Sequence, residues 1–143
     1  MRIATILSGK GNEVATVAPE ATIADAVDLL AEAGVGALVV SGDGQAIAGI
    51  ISERDIVRRL GKEQEGTLRL RVEDLMTREV VTCELTDTVD ELMAVMTDKR
   101  IRHIPVATDD ELVGIVSIGD VVKWRLHELE DETQHLKDYI TGR

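Results

Sequence analysis

The chain carries one phrase twice. Gly49-Ile-Ile-Ser-Glu-Arg-Asp55 returns 65 positions later as Gly114-Ile-Val-Ser-Ile-Gly-Asp120, Gly-apolar-apolar-Ser-x-x-Asp in each case. Thr22-Ile-Ala-Asp25 is echoed by Thr88-Val-Asp-Glu91, and Leu38-Val-Val40 by Ile104-Pro-Val106, both at an offset of 66. The offset changes at a turn, because Ser41-Gly-Asp-Gly-Gln45 is one residue longer than Ala107-Thr-Asp-Asp110. A duplication with one small indel makes two copies of a supersecondary unit, and such units bury their apolar faces by packing on each other. Two units in 143 residues therefore share one compact body, and they imply two similar clefts.

Each copy reads strand-helix-strand-strand-helix. In the first, Val14 to Val17 is a short strand and Thr22 caps a helix, with Asp25 completing a capping box. Ile23, Ala26, Val27 and Leu30 form one apolar helical stripe, which ends at Gly34 and Gly36. Ala37 to Val40 and Ala46 to Ile51 read as a strand pair, apolar enough for burial on both faces. Ser52 opens a second helix that runs to about Leu60. The second copy repeats this with a strand at Val80 to Glu84, Thr88 as cap and a stripe of Val89, Leu92, Met93 and Met96. Strands at Ile101 to Val106 and Leu112 to Val116 follow, and Ser117 opens the last helix. Gly61 to Arg71 is a polar connector, and Val72 to Thr77 a short lead-in helix mirroring Ala4 to Ser8.

These elements predict an α/β (α+β) fold of duplicated β-α-β-β-α repeats, residues 1–65 and 66–126, followed by a helical extension over 127–143. Running into that extension, Leu126, Leu129, Thr133, Leu136 and Ile140 recur at alternating steps of 3 and 4, a seam of about two heptads. Glu128, Glu130, Asp131 and Glu132 cover its other faces. A stripe in so short a tail packs on its own domain or on a twin subunit, and a homodimer is the expectation.

Composition narrows the function classes. The net charge is −11, which argues against a non-specific grip on nucleic acid, so an anionic ligand needs a local basic cluster. No run approaches the roughly 18 apolar residues of a membrane span. The single cysteine, Cys83, cannot form an intramolecular disulfide, which suits a reducing cytoplasm. His127 and His135 stand eight apart, which is not a metal-binding i, i+4 pair, and no Ser-His-Asp, Cys-His or Walker arrangement is visible. Neither a catalytic residue nor a metal site is expected.

The repeated phrase supports two readings. Ser-x-x-Asp is a capping box, in which the serine caps the helix and the aspartate reaches back. The phrase also sits at a strand-to-helix turn, where free N–H groups and the helix dipole favour a phosphate. A cap does not require the glycines Gly49 and Gly114, whereas a ligand lying close to the backbone does. An aspartate accepts both hydroxyls of a ribose diol, and a serine hydroxyl holds a phosphate.

The duplicated unit with Gly-x-x-Ser-x-x-Asp resembles the cystathionine-β-synthase (CBS) domain, and the tandem pair resembles a Bateman module. The likeness covers about residues 1–126 and includes the two Thr-capped helices and Ile104-Pro105-Val106. The resemblance implies two sheets packed about a pseudo-two-fold axis, with adenosine ligands in clefts between the repeats. It assigns Asp55 and Asp120 to ribose and Ser52 and Ser117 to phosphate. Thr16, Thr82 and the segments around Ala37 and Ile104 would line the adenine pockets. The copies differ, since Lys99, Arg100, Arg102 and His103 stand where the first has Ala33, Gly34, Gly36 and Ala37, and Arg54 stands against Gly119. Arg102 and His103, beside Pro105, are phosphate candidates together with Arg54. Lys99 and Arg100 are secondary ones, or a solvated helix end.

The leading expectation is a regulatory, energy-sensing module, not an enzyme, that binds an adenine nucleotide and modulates an unidentified protein partner. AMP or NAD(H) is favoured by the likeness to small free-standing bacterial CBS pairs, with ADP and ATP as alternatives. An unliganded dimeric adaptor is the second reading, and a nucleotide hydrolase the third, although no base or nucleophile accompanies the motif.

Overall fold

The computed structural model describes residues 1–142. Along the chain lie α1 (Ile3–Lys10), β1 (Thr16–Val17), α2 (Ile23–Ala33), β2 (Ala37–Val40), β3 (Gly49–Ser52) and α3 (Glu53–Lys62). A 3-10 turn at Thr67–Arg69 leads to α4 (Val72–Leu75), α5 (Val89–Lys99), β4 (His103–Thr108), β5 (Glu111–Ser117) and α6 (Ile118–Thr141). The strands form two small sheets, β1-β2-β3 and β4-β5. Ala37 pairs with Ser52 in the first, and His103 with Ser117 in the second. One further bond locks each following helix to its sheet: Glu53 N–H to the Gly36 carbonyl at 2.9 Å, and Ile118 N–H to the Arg102 carbonyl at 2.8 Å. The mixed α/β fold is thus a duplication at the level of individual hydrogen bonds.

Side chains set the helix starts. Thr22 and Asp25 form a reciprocal box with both bonds at 3.1 Å, and Thr88 accepts from Glu91 N–H at 3.2 Å. The ends of α2 and α5 are equivalent and chemically different. Gly34 closes α2 in the left-handed conformation at φ 64°, and Arg100 closes α5 at φ 55°, a region that disfavours a side chain.

Each repeat completes its core with the segment that precedes the other. Ile3, Ile6 and Leu7 of α1 are buried with Cys83, Val89, Leu92, Met96, Ile104 and Val116 of the second copy. Val72 of α4 is buried with Val17, Ile23, Leu38, Ile51 and Ile56 of the first. Backbone bonds fix the exchange, Ile3 N–H to Asp87 O at 2.9 Å and Val72 N–H to Ala21 O at 2.8 Å.

Some element limits differ from the sequence expectation, for local reasons. The strand expected over Ala46 to Ile51 begins only at Gly49. The Asp43 carboxylate takes the N–H groups of Gln45 and Ala46 at 2.8 and 2.9 Å and extends the turn instead. These bonds hold the Asp43 carboxyl below its ordinary range. The turn then reaches across to the other repeat, where Leu112 N–H meets Gln45 O at 2.8 Å. The strand expected over Val80 to Glu84 reduces to one parallel bridge, Cys83 to Val106. In α6 the seam is uncovered: Leu126 is 56 %, Leu136 60 % and Ile140 74 % exposed. Among the described residues no helix is long and apolar enough to cross a membrane.

Candidate functional site

The motif around Ser52 is a capping box and also the wall of a cavity. Asp55 Oδ2 accepts from Ser52 N–H at 2.9 Å and from Ser52 Oγ at 3.0 Å, and Asp55 N–H donates to Ser52 Oγ at 3.3 Å. One oxygen of the carboxylate serves the cap, which leaves Oδ1 for an outside donor. In front of this box lies a cavity of about 620 Å³, bordered on its own side by Ala37, Ile50, Ser52, Arg54, Asp55 and Arg58. The facing side comes from the second copy, as Lys99, Arg100, Ile101, Arg102 and His103. The segment that follows α4 closes a third side with Thr77, Glu79, Val80 and Val81.

Five fixed cations therefore border one cleft in a chain of net charge −11. Among the described residues the side-chain ion pairs of other Lys and Arg lie elsewhere, at Lys10–Asp120, Arg59–Glu63, Arg71–Glu73 and Arg125–Glu128. The cleft cations remain available to an anion, although Glu53, Asp55 and Glu79 temper the potential. His103 lies across the boundary between the repeats. A Cβ placed on Gly36 would stand 3.2 Å from its Cε1, a tight contact that the imidazole would relieve by moving a few tenths of an ångström. Burial lowers the His103 pKa, and nearby Glu53 opposes that only in part, which favours a neutral ring near neutral pH.

Of the residues singled out in the sequence, Ala37, Ser52, Arg54, Asp55, Lys99, Arg100, Arg102 and His103 meet at this cavity. Thr16 stays in β1, half-buried, and Thr82 is exposed beside the lining Val81, so neither threonine borders it. Ile104, expected on the adenine wall, is 0 % exposed in the core, because strand alternation turns His103 outward and Ile104 inward. Pro105 is buried opposite Ile115. Gly49 and Gly114 face chain segments instead of a ligand. A Cβ on Gly49 would meet Met76 Sδ at 2.6 Å and Thr77 O at 2.8 Å, and one on Gly114 would meet Leu7 Cδ1 at 2.6 Å. The motif glycine is thus required by the exchanged lead-in segments.

Ser117 and Asp120 form the same box at 2.9, 3.0 and 3.2 Å, but in different surroundings. Lys10 Nζ donates to Asp120 Oδ2 at 2.6 Å and to Ile115 O at 2.8 Å. Burial alone would raise the Asp120 pKa, but Lys10 and the Ser117 N–H outweigh it and hold the carboxyl below its ordinary range. Sequence reasoning missed Arg58 and the Thr77–Val81 wall. Arg58 was legible, one helical turn after Arg54 on the same face. The wall was not, because nothing in its residues announces where the segment after α4 passes.

Comparison with known proteins places the fold in a family. The family model of the CBS domain matches twice, at residues 11–62 and 72–127. The mitochondrial CBS domain-containing protein CBSX3 of Arabidopsis thaliana is 45 % identical over 125 residues, which are 85 % of this chain and 61 % of that protein. A CBS-domain-containing protein from Agrobacterium tumefaciens superposes with a TM-score of 0.84 at 40 % identity, covering 87 % of this chain and 99 % of that one. The CBS domain pair of protein MJ0100, solved in complex with 5′-methylthioadenosine and S-adenosyl-L-methionine, gives a TM-score of 0.77 at 25 % identity over 87 % and 98 % of the two chains.

Proposed function

The chain belongs to the CBS-domain family as a tandem pair, and from that premise we propose that it is a regulatory module whose first cleft binds an adenine nucleotide. One observation carries the reading. The Ser52–Asp55 box, with a free carboxylate oxygen, faces cations contributed by the other repeat across a cavity of about 620 Å³. A ribose diol suits Asp55 Oδ1, the N-terminus of α3 and Ser52 suit a phosphate, and the apolar Ile50, Val80 and Val81 suit a flat base. The adenosine compounds in the MJ0100 structure support the nucleoside half of this assignment. Arg54, Arg58, Lys99, Arg100 and Arg102 support the phosphate half, and AMP is the smallest ligand that uses both. ATP and NAD(H) satisfy the same chemistry.

Such a ligand bridges the two repeats, so its binding energy is available to bias their packing and thereby a partner protein. The uncovered seam of α6, with Leu126, Leu129, Leu136 and Ile140, gives a second copy of the chain a place to dock. Calorimetric titration with adenosine, AMP, ATP and NAD tests the reading on the wild type and on Asp55→Asn and Arg102→Ala. Asp55→Asn keeps a capping oxygen and loses the charged acceptor, so affinity for every adenosine ligand falls by roughly 10- to 100-fold, about 1.5–3 kcal/mol. Arg102→Ala weakens AMP far more than adenosine. Unchanged affinity in Asp55→Asn removes the ribose assignment, and equal losses for AMP and adenosine in Arg102→Ala remove the phosphate assignment.

A further inference from the structure

The family match ends at residue 127, and α6 runs on to Thr141. Glu128 still touches the body, 3.9 Å from the amino group of Met1. Beyond it, among the described residues, every side-chain hydrogen bond and ion pair of the helix stays within the helix. The free part from Leu129 to Thr141 is about 20 Å long, a length at which a lone helix is marginal in water. Its apolar line starts earlier than the tail itself. Val122, Leu126, Leu129, Thr133, Leu136 and Ile140 are all exposed and follow one another at alternating steps of 4 and 3. In heptad terms Leu126, Thr133 and Ile140 take position a, and Val122, Leu129 and Leu136 position d. The Thr133 hydroxyl donates to Leu129 O at 2.8 Å, so the polar group in the line is satisfied inside its own helix.

We propose that α6 pairs with α6 of a second copy of this chain as a parallel, in-register two-stranded coil. The inference rests on reading the seam as the place where a second copy docks, and it adds the direction. Charge beside the seam decides it. In a parallel pair each g residue meets the e residue of the partner five positions further on. Arg125 then meets the partner's Glu130, and Glu132 meets the partner's Lys137, opposite charges in both cases. Arg125 also holds Glu128 of its own chain at 3.1 Å, and a guanidinium has donors enough for both. The antiparallel register that keeps every apolar layer sets Glu130 against the partner's Glu130, Glu132 against the partner's Glu132, and Lys123 against the partner's Lys137. Like charges therefore reject that arrangement. The β-branched Thr133 and Ile140 at a, with Leu129 and Leu136 at d, are the parallel two-stranded choice as well. A lipid surface fits this helix poorly, because its polar faces carry Glu128, Glu130, Asp131 and Glu132 where an interfacial helix carries lysine and arginine. A parallel coil puts both modules at one end, side by side.

The test has two readouts on the full chain. In the first, a cysteine is appended after the C-terminus through a Gly-Gly linker and equilibrated in a glutathione buffer at micromolar protein. Cys83 is buried and its thiol is pushed up to about 12, so the added thiol is the one that reacts. The expected product is a disulfide-linked dimer, whereas antiparallel tails hold their ends about 30 Å apart. In the second, sedimentation equilibrium gives the dimer Kd of the wild type, Lys137→Glu and Glu132→Lys/Lys137→Glu. Lys137→Glu sets like charges together and raises Kd roughly tenfold, and the double variant recovers most of the loss. The double variant retains the added acid near the helix C-terminus, so its recovery separates the cross-chain pair from the helix dipole. In an antiparallel coil the single change would meet Lys123 and tighten the dimer. Unchanged or tighter association in Lys137→Glu, no recovery in the double variant, or no tail disulfide overturns the inference and leaves the seam as the dimer contact. A dimer that also survives truncation after Leu126, or a full chain that is monomeric, removes the seam reading together with it.

Discussion

Arg100→Gly separates the energetics of the fold from those of the site. Arg100 closes α5 at φ 55° and ψ 43°, donating its N–H to Met96 O, just as Gly34 closes α2 at φ 64° and ψ 35° onto Leu30 O. A residue with a Cβ pays roughly 1–2 kcal/mol in the left-handed region. Glycine avoids that strain but loses roughly 0.5–1 kcal/mol more backbone entropy on folding. The net gain of Arg100→Gly is about 1 kcal/mol, which for a chain of this size raises Tm by about 3 °C. The same change removes a cation from the cleft. Arg100 is exposed, so its attraction for a phosphate is screened, and the expected loss is about 1 kcal/mol or roughly fivefold in Kd. Arg100→Lys keeps both the charge and the strain, and serves as control. Thermal unfolding without ligand and AMP titration give the two numbers separately. Destabilisation by Arg100→Gly would show that the guanidinium stabilises the fold, and unchanged AMP affinity would show that this cation does not face the ligand.

Gly49→Ala destabilises more than Gly114→Ala in urea titrations, by about 2–4 against 1–2 kcal/mol, because the first meets the bridged backbone carbonyl of Thr77 and the second only the ends of Leu7. Equal losses would mean that the Thr77 backbone yields as easily as a side chain. Stability falls with acid in two windows. Burial depresses the His103 pKa, so the unfolded chain takes the proton more readily, and stability declines as pH drops below the ordinary 6.5; His103→Gln flattens that slope. The Lys10–Asp120 pair contributes above the ordinary carboxyl value of 3.8 and is lost as pH falls through the lower folded value, so Lys10→Met flattens only the acid limb. Urea midpoints with the same pH slope in both variants and the wild type refute these assignments. Truncation after Leu126 shifts a micromolar dimer toward monomer in sedimentation, since it removes Leu129, Leu136 and Ile140 from the exposed seam. A full-length chain that sediments as a monomer rejects the seam as an interface.

The duplicated phrase made the repeats, their strand pairs and helix caps legible, because each depends on chemistry within a few residues. Thr22 with Asp25, and Ser52 with Asp55, are local bonds, and local bonds leave a mark in spacing. The cation cluster was legible for the same reason, as a break in the repeat where Ala33-Gly34 becomes Lys99-Arg100. What stayed hidden is non-local. Gly49 looked like an opening for a ligand, and its true neighbour is Thr77, which no periodicity points to. Lys10 stood two residues past the lead-in expected at Ala4 to Ser8, and its partner Asp120 lies 110 residues away. Strand alternation could have excluded Ile104 from the cleft, had His103 been fixed as the outward residue.

The exchanged lead-in segments also constrain the order in which this chain is able to fold. Ile3, Ile6 and Leu7 are synthesised long before Val89, Ile104 and Val116, the residues that cover them. The first repeat in turn awaits Val72, which emerges well after Ile56. A ribosome making this protein thus holds an apolar helix without a core to enter until nearly the whole second repeat has appeared. Closing a loop of that length costs only slowly growing entropy, so the final state is not weakened by it, but the wait is one in which a passing hydrophobic surface competes for α1.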